Sequence, residues 1–101
     1  MSSNSQWDSY IEGGVLIDVR TPEEWDEEHI EEAILIPNYE LKNEISNYVP
    51  NLETPINAHC EHGIRSANAK ALLLKLGYKK VANLGSYGAA KRAYNEYKNR
   101  K

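Results

Sequence analysis

The chain contains a single cysteine, Cys60, so no internal disulfide can form and no second thiol can resolve an oxidised one. With one cysteine, a tetrahedral zinc site would have to come from His59, Cys60 and His62. These lie too close along the chain for an ordinary site, so no metal is expected. No long apolar run is present, which excludes a membrane-spanning helix. A net charge of −3 without a basic stripe argues against nucleic-acid binding. The start, Met1-Ser2-Ser3-Asn4-Ser5, has neither the basic nor the apolar region of a signal peptide. The expectation is a cytoplasmic chain, or a periplasmic one if a signal peptide has been removed. Neither an internal repeat nor a low-complexity segment is found.

What is present suits one compact domain. The chain has 101 residues, 41% of them apolar and 27% charged, the ordinary mixture for a globular fold with a small core. The acidic stretch from Glu23 to Glu32 and the basic tail from Lys91 to Lys101 read first as solvated surfaces. The tail could also add to a field that attracts anions.

Apolar patterning gives an alternating order of elements. Residues 1–5 are polar and expected to be loose. Gln6 to Ile11 is predicted as a short helix, with Trp7, Tyr10 and Ile11 at helical spacing, broken by Gly13-Gly14. Strands are predicted at Val15–Val19, Ala33–Ile36 and Lys80–Leu84, with a weaker one at Pro55–His59. Thr21-Pro22-Glu23-Glu24 begins a short helix through a capping box and ends near His29, read as structural. Tyr39 to Tyr48 forms a second helix with Leu41, Ile45 and Tyr48 on one face. Ser66 to Leu76 forms a third, with an apolar face of Ala67, Ala71, Leu72 and Leu74 and a stop at Gly77. After a turn at Gly85–Gly88, Ala89 to Asn99 forms a last helix facing inwards through Ala90, Ala93, Tyr94 and Tyr97. The fold class is therefore α/β: a single domain with a mainly parallel central sheet and helices on both faces. Such sheets bind ligands beyond the carboxyl ends of their strands, where Cys60 falls.

The chemistry centres on Cys60-Glu61-His62-Gly63-Ile64-Arg65-Ser66. A thiolate is the nucleophile, and an ordinary thiol with a pKa of about 8.5 is only slightly ionised at neutral pH. Several features favour ionisation of Cys60. It precedes a helix N-terminus, Gly63 lets loop N–H groups curl towards one centre, and Arg65 can bring a permanent charge over the loop. Ser66 can cap the helix or hold the loop. His62 could assist proton transfer or simply stand exposed. Glu61 would oppose a thiolate if it pointed inwards, so it is expected in solvent. His59 is expected to be structural.

The Cys60–Ser66 loop, with its helix and Leu76-Gly77-Tyr78-Lys79-Lys80-Val81, resembles the active-site region of rhodanese-like domains. Leu16-Ile17-Asp18-Val19-Arg20, Glu23-Glu24-Trp25, Glu28-His29-Ile30 and Ala33-Ile34-Leu35-Ile36-Pro37 resemble the front half of that family. The resemblance covers about residues 13–90 and implies one rhodanese-like domain over 1–101. It is similar to single-domain thiosulfate sulfurtransferases, including the phage-shock type of bacterial periplasms.

The resemblance implies sulfur transfer through a Cys60 persulfide. The donor would be thiosulfate or another small anionic sulfur donor, and the acceptor cyanide or a thiol, which could be a protein thiol. Glu61, His62, Gly63, Ile64, Arg65 and Ser66 would surround the substrate, with Arg65 steering it. Neither cofactor nor metal, and neither nucleic acid nor membrane, is implied. Arg20 reads as a structural ion-pair residue beside Asp18. Two positions depart from the family pattern: Glu32 stands where a glycine often precedes the alanine, and Gly85-Ser86 replaces a frequent Gly-Gly. Two other readings remain. One is a non-catalytic binding or sulfur-carrier module. The other is a phosphatase or arsenate reductase of the same fold, although those loops carry five residues between cysteine and arginine and this one carries four.

Overall fold

A computed structural model describes residues 7–100; the expected loose segment 1–5 lies outside the described residues. The elements run β1 (Val15–Asp18), α1 (Pro22–Glu27), β2 (Ile34–Leu35), α2 (Leu41–Tyr48), β3 (Ile56–His59), α3 (Ile64–Lys75), β4 (Val81–Gly85) and α4 (Tyr87–Asn99). The strands form one sheet in the order β2-β1-β3-β4, with every neighbouring pair parallel. The strand expected to be weak, β3, is central and buried along its whole length. It reads as weak because Asn57 and His59 interrupt its apolar run, yet both side chains are buried.

Both sheet faces are covered, as parallel strands require. On one face Ile17, Val19 and Ile56 pack with Leu41 and Ile45 of α2 and with Ala69 and Leu73 of α3. On the other, Leu16, Ala82 and Leu84 pack with Ala90 of α4, and Trp25 of α1 joins that cluster. Among the described residues no helix is long and apolar enough to cross a membrane.

Three local expectations are corrected. The helix predicted over Gln6–Ile11 is not formed across residues 7–11, and Gln6 lies outside the described residues. This segment instead runs along the outer edge of β4. The Asp8 N–H donates to the Asn83 carbonyl at 2.9 Å, and the Asn83 N–H donates to Asp8 Oδ2 at 2.8 Å. Further on, the Ile11 N–H donates to Oδ1 of buried Asn57 at 2.8 Å. A helix this short is marginal, whereas an unpaired sheet edge and a buried amide offer ready partners.

In α2, Leu41 and Ile45 are buried as expected, but Tyr48 is 51% exposed and Val49, the next residue, takes the inward position. In α3 the buried positions are Ser66, Ala69 and Leu73; Ala67 and Ala71 are exposed and Leu74 is 46% exposed. Alanine stabilises a helix wherever it stands, so an alanine stripe does not mark the buried side. The phase of α3 is set by Ser66, which reaches back to Cys60.

The start of β1 lies hard against the chain entering β3. The Val15 N–H donates to the Pro55 carbonyl at 3.0 Å, and a methyl group on Gly14 would fall 1.9 Å from that same oxygen. Both contacts involve backbone, so relief requires the two segments to separate. Gly14→Ala is expected to destabilise the domain by about 1–3 kcal/mol, the usual range for overpacking. Urea unfolding would register this as a lower midpoint with an unchanged slope; an unchanged midpoint would contradict the contact.

Candidate active site

Cys60 comes directly after β3 and is 1% exposed. Its N–H donates to the Gly85 carbonyl at 3.0 Å, which fixes the residue between β3 and the end of β4. The pairing of these strands shifts between Ala58 and His59, so that His59 stands opposite Gly85 and Leu84 is passed over. A bulge of this kind bends the strand and re-aims the residues beyond it. Asn83 spans the irregularity: its Oδ1 accepts from the Gly85 N–H at 2.9 Å and from Ser66 Oγ at 2.7 Å.

Two backbone N–H donors and a hydroxyl lie against the sulfur. The Gly63 N–H points at Cys60 Sγ from 2.9 Å and the Ser66 N–H from 3.3 Å. Ser66 Oγ lies 3.4 Å from the sulfur and gives its proton to Asn83 Oδ1; a thiol donates to it, and a thiolate accepts from it only if that proton turns from Asn83 to the sulfur. The geometry requires Gly63, whose φ of 99° lies in the left-handed region and starts α3. It also requires a residue without a side chain there, since a methyl group on Gly63 would come within 2.2 Å of the Trp7 ring. The same ring lies 2.2 Å from where a Gly85 methyl would stand. Trp7 therefore backs the loop and the end of β4 together.

Burial pushes the Cys60 thiol up, but hydrogen bonds from Ser66 Oγ and from the Ser66, Gly63 and His62 N–H groups outweigh it. The net effect is a thiol below its ordinary value. Donors that point at the sulfur favour its charged form.

The remaining loop residues take different positions. Glu61 does not stand free in solvent: its Oε1 accepts from Arg20 Nη1 at 3.0 Å, although the side chain stays 40% exposed. The reason is that Arg20 is buried and needs acceptors. His62 is exposed, and its backbone bridges to Ser86. Ile64 is 73% exposed at the head of α3. Arg65 is not left unpaired at the loop, although its charge and that of Cys60 still act on each other. Its Nη1 and Nη2 each donate to a Glu24 carboxylate oxygen at 2.9 Å. The Arg65 guanidinium in turn holds the Glu24 carboxyl down at about 2, with help from the Thr21 N–H. The capping box read at Thr21 and Glu24 is formed, so Glu24 serves α1 and Arg65 at once.

A cavity of about 420 Å³ adjoins the loop, lined by Arg20, Glu24, Glu27, Glu28 and Glu61. His59 is fully buried, with Nδ1 bonded to the Cys60 carbonyl at 3.1 Å. His29 hydrogen-bonds the Trp25 carbonyl and stacks on the Trp25 ring. Sequence reasoning does not single out three contributors to the site: Asn83, Trp7 and Glu24. Asn83, a polar residue inside an apolar strand, is the readable signal among them.

Residues 3–93 match the rhodanese-like domain. The chain belongs to the rhodanese-like domain family. It is 41% identical over 69 residues to the thiosulfate sulfurtransferase PspE of Escherichia coli K12, a match covering 68% of this chain and 66% of PspE. The chain thus spans just under two thirds of the length of that curated relative. Among solved structures it is similar to a rhodanese with anions from E. coli, at a TM-score of 0.73 and 37% identity, covering 75% of this chain and 89% of that one. It is also similar to the human single-domain sulfurtransferase TSTD1, at a TM-score of 0.64 and 28% identity, covering 88% of this chain and 84% of that one. The α/β fold read from the sequence is that of these rhodanese structures.

Alkylation of Cys60 against pH tests the cradle. The wild-type rate should reach half its maximum below the ordinary thiol range of about 8.5, and Ser66→Ala should move the midpoint to higher pH. Loss of one hydrogen bond to a charged sulfur should also lower the alkylation rate at neutral pH by about tenfold. Identical profiles for the two proteins would remove Ser66 from this role.

Proposed function

We propose that the chain is a sulfurtransferase that moves sulfane sulfur from thiosulfate or a similar donor to a thiophilic acceptor through a Cys60 persulfide. The observation that carries this reading is the convergence of the Gly63 N–H, the Ser66 N–H and Ser66 Oγ on one sulfur atom. Such a cradle suits a nucleophile that must be ionised before attack and must carry a negative terminal sulfur afterwards.

In the first half-reaction the Cys60 thiolate attacks the outer sulfur of thiosulfate. A new S–S bond forms to Cys60, the S–S bond of thiosulfate breaks, and sulfite leaves with the bonding pair. The persulfide retains one negative charge on its terminal sulfur, one bond beyond the Sγ at which the Gly63 and Ser66 N–H groups point. In the second half-reaction cyanide or a thiolate attacks that terminal sulfur, and the Cys60 thiolate is released. The products are thiocyanate or a new persulfide. The two half-reactions share one site and proceed in ping-pong order. A protein thiol fits the same second step. The carboxylates of Glu24 and Glu61 are both engaged by arginines, which supports their role as structural neighbours of the reacting sulfur rather than bases.

Intact-protein mass tests the mechanism directly. After brief exposure to thiosulfate the protein should gain one sulfur, and cyanide should remove it. Cys60→Ser should gain none while keeping its fold, because a hydroxyl cannot carry the sulfur. Sulfur gain by that variant, or none by the wild type with either thiosulfate or polysulfide, would exclude the reading. Arg65→Ala should weaken the use of thiosulfate more than the handing-on of bound sulfur, read as a rise in KM for the donor. An unchanged thiosulfate dependence would remove Arg65 from donor binding.

A further inference from the structure

Arg65 is the cation of the Cys60–Ser66 loop, yet both ends of its guanidinium fork are already occupied. Glu24 fills them with a bidentate pair at 2.9 Å and 2.9 Å. Bidentate carboxylate is among the strongest partners an arginine can have. The other guanidinium on this side, that of Arg20, is occupied by Asp18, Glu61 and the Glu28 carbonyl. The adjoining cavity is lined by four carboxylates and one arginine. A dianion approaching this mouth therefore finds both arginines already paired with carboxylates.

We propose that Glu24 is a specificity-determining gate on Arg65: an anionic donor gains the guanidinium only by displacing the Glu24 carboxylate. This rests on the reading of Cys60 as the sulfur-accepting thiolate and adds what the site selects. Donors and acceptors of low negative charge approach Cys60 without that competition. Thiosulfate must overcome it, so its use by the wild type is weaker than the cradle alone would allow. The gate is built into the fold, because Glu24 is also the third residue of the α1 capping box, where its Oε1 accepts from the Thr21 N–H at 3.0 Å. If the carboxylate swings away with its Oε1, the Thr21 N–H loses its acceptor, while Thr21 Oγ1 still caps the Glu24 N–H.

Glu24→Gln separates the two roles. Glutamine keeps the capping box but removes the charge and one of the acceptor oxygens facing Arg65. The partners are about one-third exposed, so the competition removed is modest. KM for thiosulfate should fall by about fivefold. In an Arg65→Gln background the same Glu24→Gln change should have no such effect, whereas a general loss of negative charge would still lower KM there. A second measurement does not depend on sulfur transfer. The rate of Cys60 alkylation by anionic iodoacetate, divided by that by neutral iodoacetamide, should rise about fivefold in Glu24→Gln. A KM that stays or rises would overturn the gate. If thiosulfate loads neither protein, the alkylation ratio decides alone. A raised ratio then upholds the gate while the sulfurtransferase reading fails, and an unchanged ratio overturns the gate.

Discussion

Arg20 sits 3% exposed at the carboxyl end of the sheet, and the walls of the site are tied to one another through it. Its Nε and Nη2 donate to the buried Asp18 carboxylate at 2.9–3.0 Å, its Nη2 also to the Glu28 carbonyl at 2.7 Å, and its Nη1 to Glu61 at 3.0 Å. The Tyr87 ring covers it, with the guanidinium carbon 4.8 Å from the ring centroid. One side chain thus joins the end of β1, the end of α1, the active-site loop and the first turn of α4. Burying two charges costs several kcal/mol per ion unless every donor finds an acceptor. Here each of the three guanidinium nitrogens has an acceptor, and the cost of breaking the set helps fix the loop's position. The arrangement also explains Glu61: beside a sulfur that must ionise, its charge is tolerable because a guanidinium neutralises it at contact distance.

That network leaves His59 in an unusual place. A carbonyl only accepts, so Nδ1 carries the proton that bonds to Cys60. Nε2 then bears the lone pair, has no hydrogen-bond partner, and lies 3.7 Å from Asp18 Oδ2. Burial lowers the tendency of this ring to protonate, against the pull of Asp18. The neutral ring leaves Asp18 wholly to Arg20. His59 thus supports the loop through the Cys60 backbone rather than through the sulfur.

Much of this is legible in the sequence because it obeys short-range rules. The strand positions, the capping box at Thr21, the glycine in the loop and the cysteine ahead of a helix are each set by neighbours within a few residues. The ion-pair reading of Arg20 beside Asp18 comes from a separation of two residues at a strand end. The features that are not legible depend on contacts across the chain. The Trp7–Ile11 segment is an edge partner because β4 and Asn57 offer distant hydrogen bonds. The buried side of α3 departs from its apolar pattern because Ser66, a polar residue, leads it inwards. Arg65 pairs with Glu24, a partner 41 residues away. Even the departure at Gly85-Ser86 has a local sense visible only in the fold: Ser86 Oγ accepts from the Ala89 N–H and caps α4.

The groups that touch the sulfur are dipoles, while the two arginines nearby are paired with carboxylates. Arg20 and Arg65 are bound to carboxylates, and the groups touching Sγ are N–H donors and a hydroxyl. The distinction matters because the two act over different ranges. An unpaired cation draws anions from a Debye length, about 8–10 Å at ordinary salt, and loses that reach as salt rises. An N–H dipole acts only at contact, where solvent is excluded and salt has little effect. A site of the second kind favours the ionised cysteine but does little to gather an anion from solution. Selection then falls to the residues at the mouth. In a chain of 101 residues those are also the residues that cap α1 and anchor the loop, so the choice of substrate and the stability of the fold are set by the same side chains.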